Sequence, residues 1–292
     1  MDNELRMKLA DLGSPEGLAD CIIAHYANIE IPIPLARIAD DLGIVEIIGQ
    51  ATSSFEGVLV TNNAKSTGSI AYNENSRIER RRFTIAHELG HFLLPFHGEN
   101  AQCAKADMGV IKSQEKRQQR EAEANRFAAA LLMPKKLFAG DIRRLGAPEV
   151  SHIVTIAERY GVSKESAARR YTELSDHLCA IVFSHNGVVR YAPRKPEFPY
   201  IEVSKGHPLT QKSMSAKGLG EVGYISDWSE TTPETWLGAS ARLRGKMLYE
   251  QYLIQVDGYL MTMLTLDDIP DEGEPNEDDE LESSWTPRFH RR

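Results

Sequence analysis

The stretch Phe83-Thr84-Ile85-Ala86-His87-Glu88-Leu89-Gly90-His91-Phe92-Leu93-Leu94 decides how the rest of this 292-residue chain is read. It contains H-E-x-x-H. At about 3.6 residues per turn, His87 and His91 share one helix face, one turn apart. Two imidazoles so placed can bind one zinc ion, with Glu88 beside them to act on a water at the metal. Alone, the motif also fits an amphipathic helix with two solvated histidines. Its neighbours argue otherwise, because Ile85, Ala86, Leu89, Phe92 and Leu93 suit a buried helix. Burying two histidines and a glutamate without a metal would leave polar groups needing partners.

A catalytic zinc site generally has a third protein ligand and an open position. Three residues compete for the role. His97 has the spacing of H-E-x-x-H-x-x-G-x-x-H proteases, but the glycine position is Leu94 and Pro95 follows it. Glu121 and Glu123 lie in Arg120-Glu121-Ala122-Glu123-Ala124-Asn125-Arg126-Phe127-Ala128-Ala129-Ala130-Leu131-Leu132-Met133-Pro134. Glu121 shares a helical stripe with Ala124, Asn125, Ala128 and Leu132, whose small members allow close approach to the first helix. Glu123 faces with Arg126, Phe127 and Ala130, so an ion pair is its ordinary role. Glu121 is therefore preferred, with Glu123 and His97 held as alternatives. Cys21, the lone upstream cysteine, falls in an amphipathic helix and makes an unattractive ligand.

Outward from this centre, the spacing predicts helices over 15–29 and 34–42, the second ending at Gly43. Strands are expected over 44–48, 57–61 and 69–72, then long helices over about 76–94 and 113–133. Three short helical segments fill 136–176, broken at Gly146-Ala147-Pro148 and at Gly161. From Leu178 the texture is strand-like, with CAIVF and GVVRYA about a His185-Asn186-Gly187 turn. EVGYIS, KMLYEQYLIQV and YLMTMLTL follow as further strand segments.

The net charge of −8 is unevenly spread. Asp267 to Glu282 holds ten acidic residues and no basic one; without it, 34 basic residues face 32 acidic ones. The body is thus near neutral, and 267–292 reads as a disordered appendage, solubilising rather than a DNA mimic. No apolar run approaches a membrane span, and MDNELRMKLADLG lacks a signal pattern. Three scattered cysteines without C-x-x-C suit reduced thiols, so a cytoplasmic protein is expected.

From Arg82 to His91, and again in E-x-x-A-N-x-F-A-x-x-L-L-M-P from Glu121 to Pro134, the chain resembles the ImmA/IrrE metallopeptidases. The likeness extends upstream through Ile31-Pro32-Ile33-Pro34, Ile38 to Ile44, Phe55-Glu56-Gly57 and Ile70-Ala71-Tyr72-Asn73. The resemblance implies an α+β, zincin-like metallopeptidase domain over 1–135. His87, His91 and Glu121 would be zinc ligands and Glu88 the catalytic base. It also implies a substrate: a helix-turn-helix repressor, often encoded nearby, whose cleavage switches on stress or mobile-element genes.

Behind this domain, 136–176 is expected to be a helical connector and 177–266 a small α/β domain, GAF-like in some relatives, for sensing or docking. Within the connector, 153–171 has a helix-turn-helix-like layout, so DNA contact is possible, although packing explains it better. Arg77, Arg80, Arg81 and Arg82 could grip an acidic segment or simply start a helix with ion pairs. Tyr72 and His97 are candidates for oxyanion stabilisation, and strand 69–73 for pairing with an extended substrate. Trp228, Trp236, Tyr249 and Tyr252 could line a pocket or form core. The alternative to the enzyme is a regulator that binds a repressor or DNA without cleaving, its zinc site structural or vestigial. Glu88 favours the enzyme, since a structural site has no use for a base.

Overall fold

Ser14 begins the first large helix by accepting the Gly17 N–H at 3.1 Å, with Pro15 pre-set in the first helical position. The computed structural model describes residues 2–95, 110–203, 205–218, 220–237 and 246–266. His97, Cys103 and the acidic stretch 267–282 lie outside them. The chain divides into two compact units: residues up to Arg144 with Ser151–Ser175, and Leu145–Val150 with the residues from Asp176 onward.

The first unit opens with α1 (Asn3–Ala10), α2 (Pro15–His25) and α3 (Leu35–Leu42). α1 is absent from the expectations above, because its apolar pattern is thin; only Leu5 and Leu9 are buried. α3 buries Leu35, Ile38, Ala39 and Leu42 at helical spacing and stops at Gly43, whose φ of 100° suits glycine. Strands β1 (Ile44–Gln50), β2 (Gly57–Thr61) and β3 (Gly68–Asn73) form a sheet in the order β1-β3-β2. β3 runs parallel to β1 and antiparallel to β2. It is therefore internal, and the 69–73 strand cannot accept an extended substrate, since both its edges are already paired. β1 and β2 are the sheet edges.

α4 (Ile78–Leu93) packs on β2 and β3, and α5 (Val110–Leu132) packs on α4 and α2. α4 buries Thr84, Ala86, Leu89, Gly90 and Phe92, leaving the two histidines half-buried at one side. α6 (Lys135–Leu145), α7 (Val150–Tyr160) and α8 (Lys164–Leu174) follow. At the α7–α8 turn Gly161 has φ +62°, and a Cβ there would lie 3.0 Å from Arg82 Nε. Arg170 donates to the Met133 carbonyl at 3.2 Å and to Glu173 at 2.8 Å, so it supports the end of α5.

Asp141 ties α6 to α7. Its buried carboxylate accepts from Tyr160 Oη at 2.7 Å and Arg159 Nε at 2.9 Å, and also pairs with Arg144. Burial alone would raise its pKa, but the hydrogen bonds from Tyr160, Arg159 and Arg144 prevail and hold it below the ordinary value. Asp141→Asn is therefore expected to destabilise the fold by about 1–3 kcal/mol near neutral pH. A depressed carboxylate pKa gives stability that is complete above the unfolded-state value and lost as pH falls through the folded one. Thermal unfolding at pH 7 and pH 3 should show the variant and the parent converging in acid. An equal gap at both would exclude the ionised pairing as the cause.

The second unit holds β4 (Cys179–His185), β5 (Val188–Tyr191), the short α9 (Met214–Lys217), β6 (Ser229–Thr231), β7 (Leu248–Ile254) and β8 (Tyr259–Leu266). They form an antiparallel sheet in the order β5-β4-β8-β7-β6. Asn186 and Gly187, both at positive φ, make the tight β4–β5 turn. EVGYIS is not a regular strand. It follows the β7 edge beyond β6 with one isolated bridge, Ile225 to Leu253. Backbone bonds run from Gly223 N–H to the Ile254 carbonyl, Ile254 N–H to the Tyr224 carbonyl and Ser226 N–H to the Tyr252 carbonyl. Trp236 is wholly buried and Tyr252 nearly so, both as core. Trp236 Nε1 donates at 2.8 Å to the fully buried Glu250, which also accepts from the Met214 backbone N–H.

Candidate metal centre

The centre is built where α4 and α5 touch. Gly90 makes that approach possible: a Cβ there would lie 3.0 Å from Phe127 Cδ1 and 3.3 Å from Ala124 Cα. With Ala124 and Ala128 fully buried opposite, the helices come close enough for Glu121 to reach across. His87 Nε2 and His91 Nε2 face each other at 3.0 Å. Glu121 Oε2 lies 3.3 Å from His87 Nε2, and Oε1 lies 3.7 Å from His91 Nε2. Among the described residues these three are the one group of histidine, cysteine and carboxylate side chains gathered tightly enough to hold a metal ion.

The donor set fits such an ion. Ligand arms of about 2.1 Å in a tetrahedron put donor atoms about 3.4 Å apart, and the three separations here bracket that value. The histidine side chains are 15% and 18% exposed and Glu121 is 48% exposed, which leaves one side of the group open to solvent. His87 Nδ1 lies 3.0 Å from Asn125 Oδ1. An N–H donated there fixes the tautomer and turns the Nε2 lone pair towards the other donors. Burial lowers the His87 pKa, opposed by the Glu121 charge and the Asn125 hydrogen bond. A neutral imidazole is the form that binds metal.

Glu88 sits on the sheet side of α4. A Cβ on Gly57, the first residue of β2, would lie 2.4 Å from Thr84 Cγ2 and 2.6 Å from Glu88 Oε1. Only glycine leaves room there, so the β2 backbone forms a close seat for the carboxylate. Burial first, and then the Glu121 charge, push Glu88 up to about 7. A cation held by the three donors would oppose both effects.

The other candidates fall elsewhere. Glu123 accepts from Gln119 Nε2 at 2.9 Å on the same helix. The Tyr72 hydroxyl lies over Gly49 of β1, and Cys21 is half-buried in α2. Arg80 pairs with Glu56 at 3.4 Å, Arg81 donates to the Ser76 carbonyl at 2.6 Å and Arg82 to the Ile33 carbonyl at 2.9 Å. The arginine cluster thus fastens the start of α4. Sequence reasoning did not assign roles to Asn125 and Gly57. Asn125 could have been found as the residue one turn beyond Glu121 on the same stripe. Gly57 could not, because its part depends on which strand lands against Glu88.

Among the described residues no helix is long and apolar enough to cross a membrane. Residues 40–172 match the family model of the IrrE N-terminal-like domain, a peptidase family. The radiation response metalloprotease IrrE of Deinococcus radiodurans is 35% identical over 104 residues, which are 36% of this chain and 30% of that protein. The chain therefore spans under a third of the length of that relative. A solved structure of a Mycobacterium tuberculosis transcriptional regulator shares the fold, with a TM-score of 0.54 over 90% of this chain and 80% of that one, at 12% identity. The family match covers α4 and α5 entire, so over residues 40–172 the chain is similar to the ImmA/IrrE metallopeptidases.

Proposed function

We propose that this chain is a zinc-dependent endopeptidase that cleaves a specific helix-turn-helix repressor and so releases stress or mobile-element genes. The observation that carries the reading is the convergence of His87, His91 and Glu121 donor atoms beside a half-buried Glu88 seated on Gly57. In this reading His87, His91 and Glu121 hold the metal and Glu88 is the catalytic base. A bound zinc ion supplies Lewis acidity to the scissile carbonyl and to the attacking water. Glu88 Oε1 takes a proton from that water and returns it to the leaving amine. Asn125 keeps His87 in its metal-binding tautomer. β2 is the sheet edge beside Glu88, which suits it to pair with an extended substrate segment.

The domain reading is a peptidase over 1–135, a helical connector over 136–176, a sensing or docking domain over 177–266 and an acidic tail. The five-stranded antiparallel sheet supports a GAF-like assignment for the third part. Packing is the better role for the helix-turn-helix-like segment: Arg170 is engaged at the end of α5, and the exposed face of α8 sets Glu165 and Glu173 around Arg169. The reading places the protein in the cytoplasm, where its repressor would be.

The test is zinc content per chain together with incubation against repressor-like proteins encoded nearby. Site-specific cleavage that a chelator stops is the expected result. A stable complex that is never cut, at full zinc content, would favour the non-proteolytic regulator.

A further inference from the structure

His91 stands in the last turn of α4, where backbone carbonyls lose their helical partners. Leu94 N still donates to the Gly90 carbonyl at 2.9 Å. The next donor in the ladder, for the His91 carbonyl, would be the N–H of residue 95, and residue 95 is proline. The carbonyl of a metal-site histidine is thus left without its regular bond, in a turn that would otherwise fray.

Lys65 fills the gap. From the β2–β3 turn its Nζ donates to the His91 carbonyl at 2.7 Å and to the Leu94 carbonyl at 3.3 Å. A cation at this end also complements the helix dipole. The turn that presents it is itself held. Lys65 takes φ +47°, its N–H bonds to the Asn62 carbonyl at 2.9 Å, and Ser66 N–H bonds to Asn62 Oδ1 at 2.8 Å. Arg6 of α1 then clamps the turn from outside, donating to the carbonyls of Lys65 at 2.8 Å, Ser66 at 2.5 Å and Leu42 at 3.1 Å. Its guanidinium also lies over the Phe92 ring, 5.5 Å from the centroid.

We infer that Lys65 is a positioning residue for the metal centre, replacing the donor that Pro95 lacks and fixing the helical turn that carries His91. Arg6 holds Lys65 in place. This rests on the reading that His87, His91 and Glu121 bind zinc. It extends the site to α1, which lies outside the family-matched residues 40–172.

The experiment measures zinc affinity of the full chain by chelator competition, beside the unfolding temperature of the zinc-free protein. Lys65→Met keeps the aliphatic stem and removes the donors. It should weaken zinc binding by about 10–100-fold, the range of an outer-shell partner. Lys65→Arg should restore most of that loss, which a role in packing alone would not predict. Arg6→Gln should weaken binding by about 3–10-fold, acting one contact further back. Because it acts through Lys65, the double variant should bind no more weakly than Lys65→Met alone. Additive losses would overturn the relay. If Lys65→Met fails to fold, the Lys65→Arg and Arg6→Gln affinities decide, and unchanged zinc binding by folded Arg6→Gln overturns the inference. Wild-type uptake of one zinc with unaltered affinity in folded Lys65→Met overturns it alone. A wild-type chain that takes up no zinc overturns the metal-site reading, and this inference with it.

Discussion

Glu88→Gln is expected to reduce repressor cleavage by about 10²–10⁴-fold, the typical contribution of a positioned acid–base group, while zinc content stays near one per chain. The two halves of this result have separate causes. Glutamine matches glutamate in shape, so it can occupy the seat against Gly57 without displacing Thr84 or the helix. It is not among the three side chains whose donor atoms converge, so metal retention should not depend on it. What the amide lacks is an oxygen able to accept and return a proton. Cleavage rate and zinc per chain, measured on the same preparation, separate the roles. Loss of zinc would make Glu88 a support of the centre rather than its base, and full activity would remove it from the reaction.

Glu121→Gln should have an effect of similar size by a different route. Glu121 brings the only carboxylate of the converging group, with an oxygen 3.3 Å from His87 Nε2 and another 3.7 Å from His91 Nε2. A neutral amide is a poorer ligand for a divalent cation and no longer offsets its charge. Zinc affinity should fall by more than the about 10–100-fold associated with outer-shell residues, and cleavage should fall with it. Excess zinc should rescue cleavage in this variant but not in Glu88→Gln. Glu123→Gln is the control. Its carboxylate bonds to Gln119, so zinc affinity should hold within about twofold of the parent. If Glu123→Gln loses the metal and Glu121→Gln keeps it, the two assignments are reversed.

The contrast between Glu121 and Glu88 shows what a sequence can carry. The facing of His87 and His91 is local, set by one helical turn, and needs nothing from the rest of the chain. Glu121 is legible because its stripe is lined with Ala124 and Ala128, which signals a close helix contact before any partner is known. The sheet is harder. Ser69 to Tyr72 reads correctly as a strand, but no periodicity says whether a strand is central or at an edge. That depends on β1 and β2 closing on both sides of it. β6 is too short at three residues to show alternation, and EVGYIS meets the β7 edge through a few backbone bonds without becoming a regular strand. The seat at Gly57 and the cap from Lys65 are tertiary meetings between distant segments. Single-residue signals for them, a glycine opening a strand and a lysine in a turn, are too common to be read.

The close contact of α4 and α5 at Gly90 has a further consequence. A cation shared by His87, His91 and Glu121 adds a cross-link between two helices that already pack against each other. Metal that binds the folded chain and not the unfolded one adds about 2.7 kcal/mol of stability at a hundredfold excess over its dissociation constant. Such an increment reduces the unfolded population by a factor of about 100, and with it exposure to housekeeping proteases. Zinc supply would then govern how long each copy of the protein survives as well as how fast it cuts, and a starved cell would lose the protein itself.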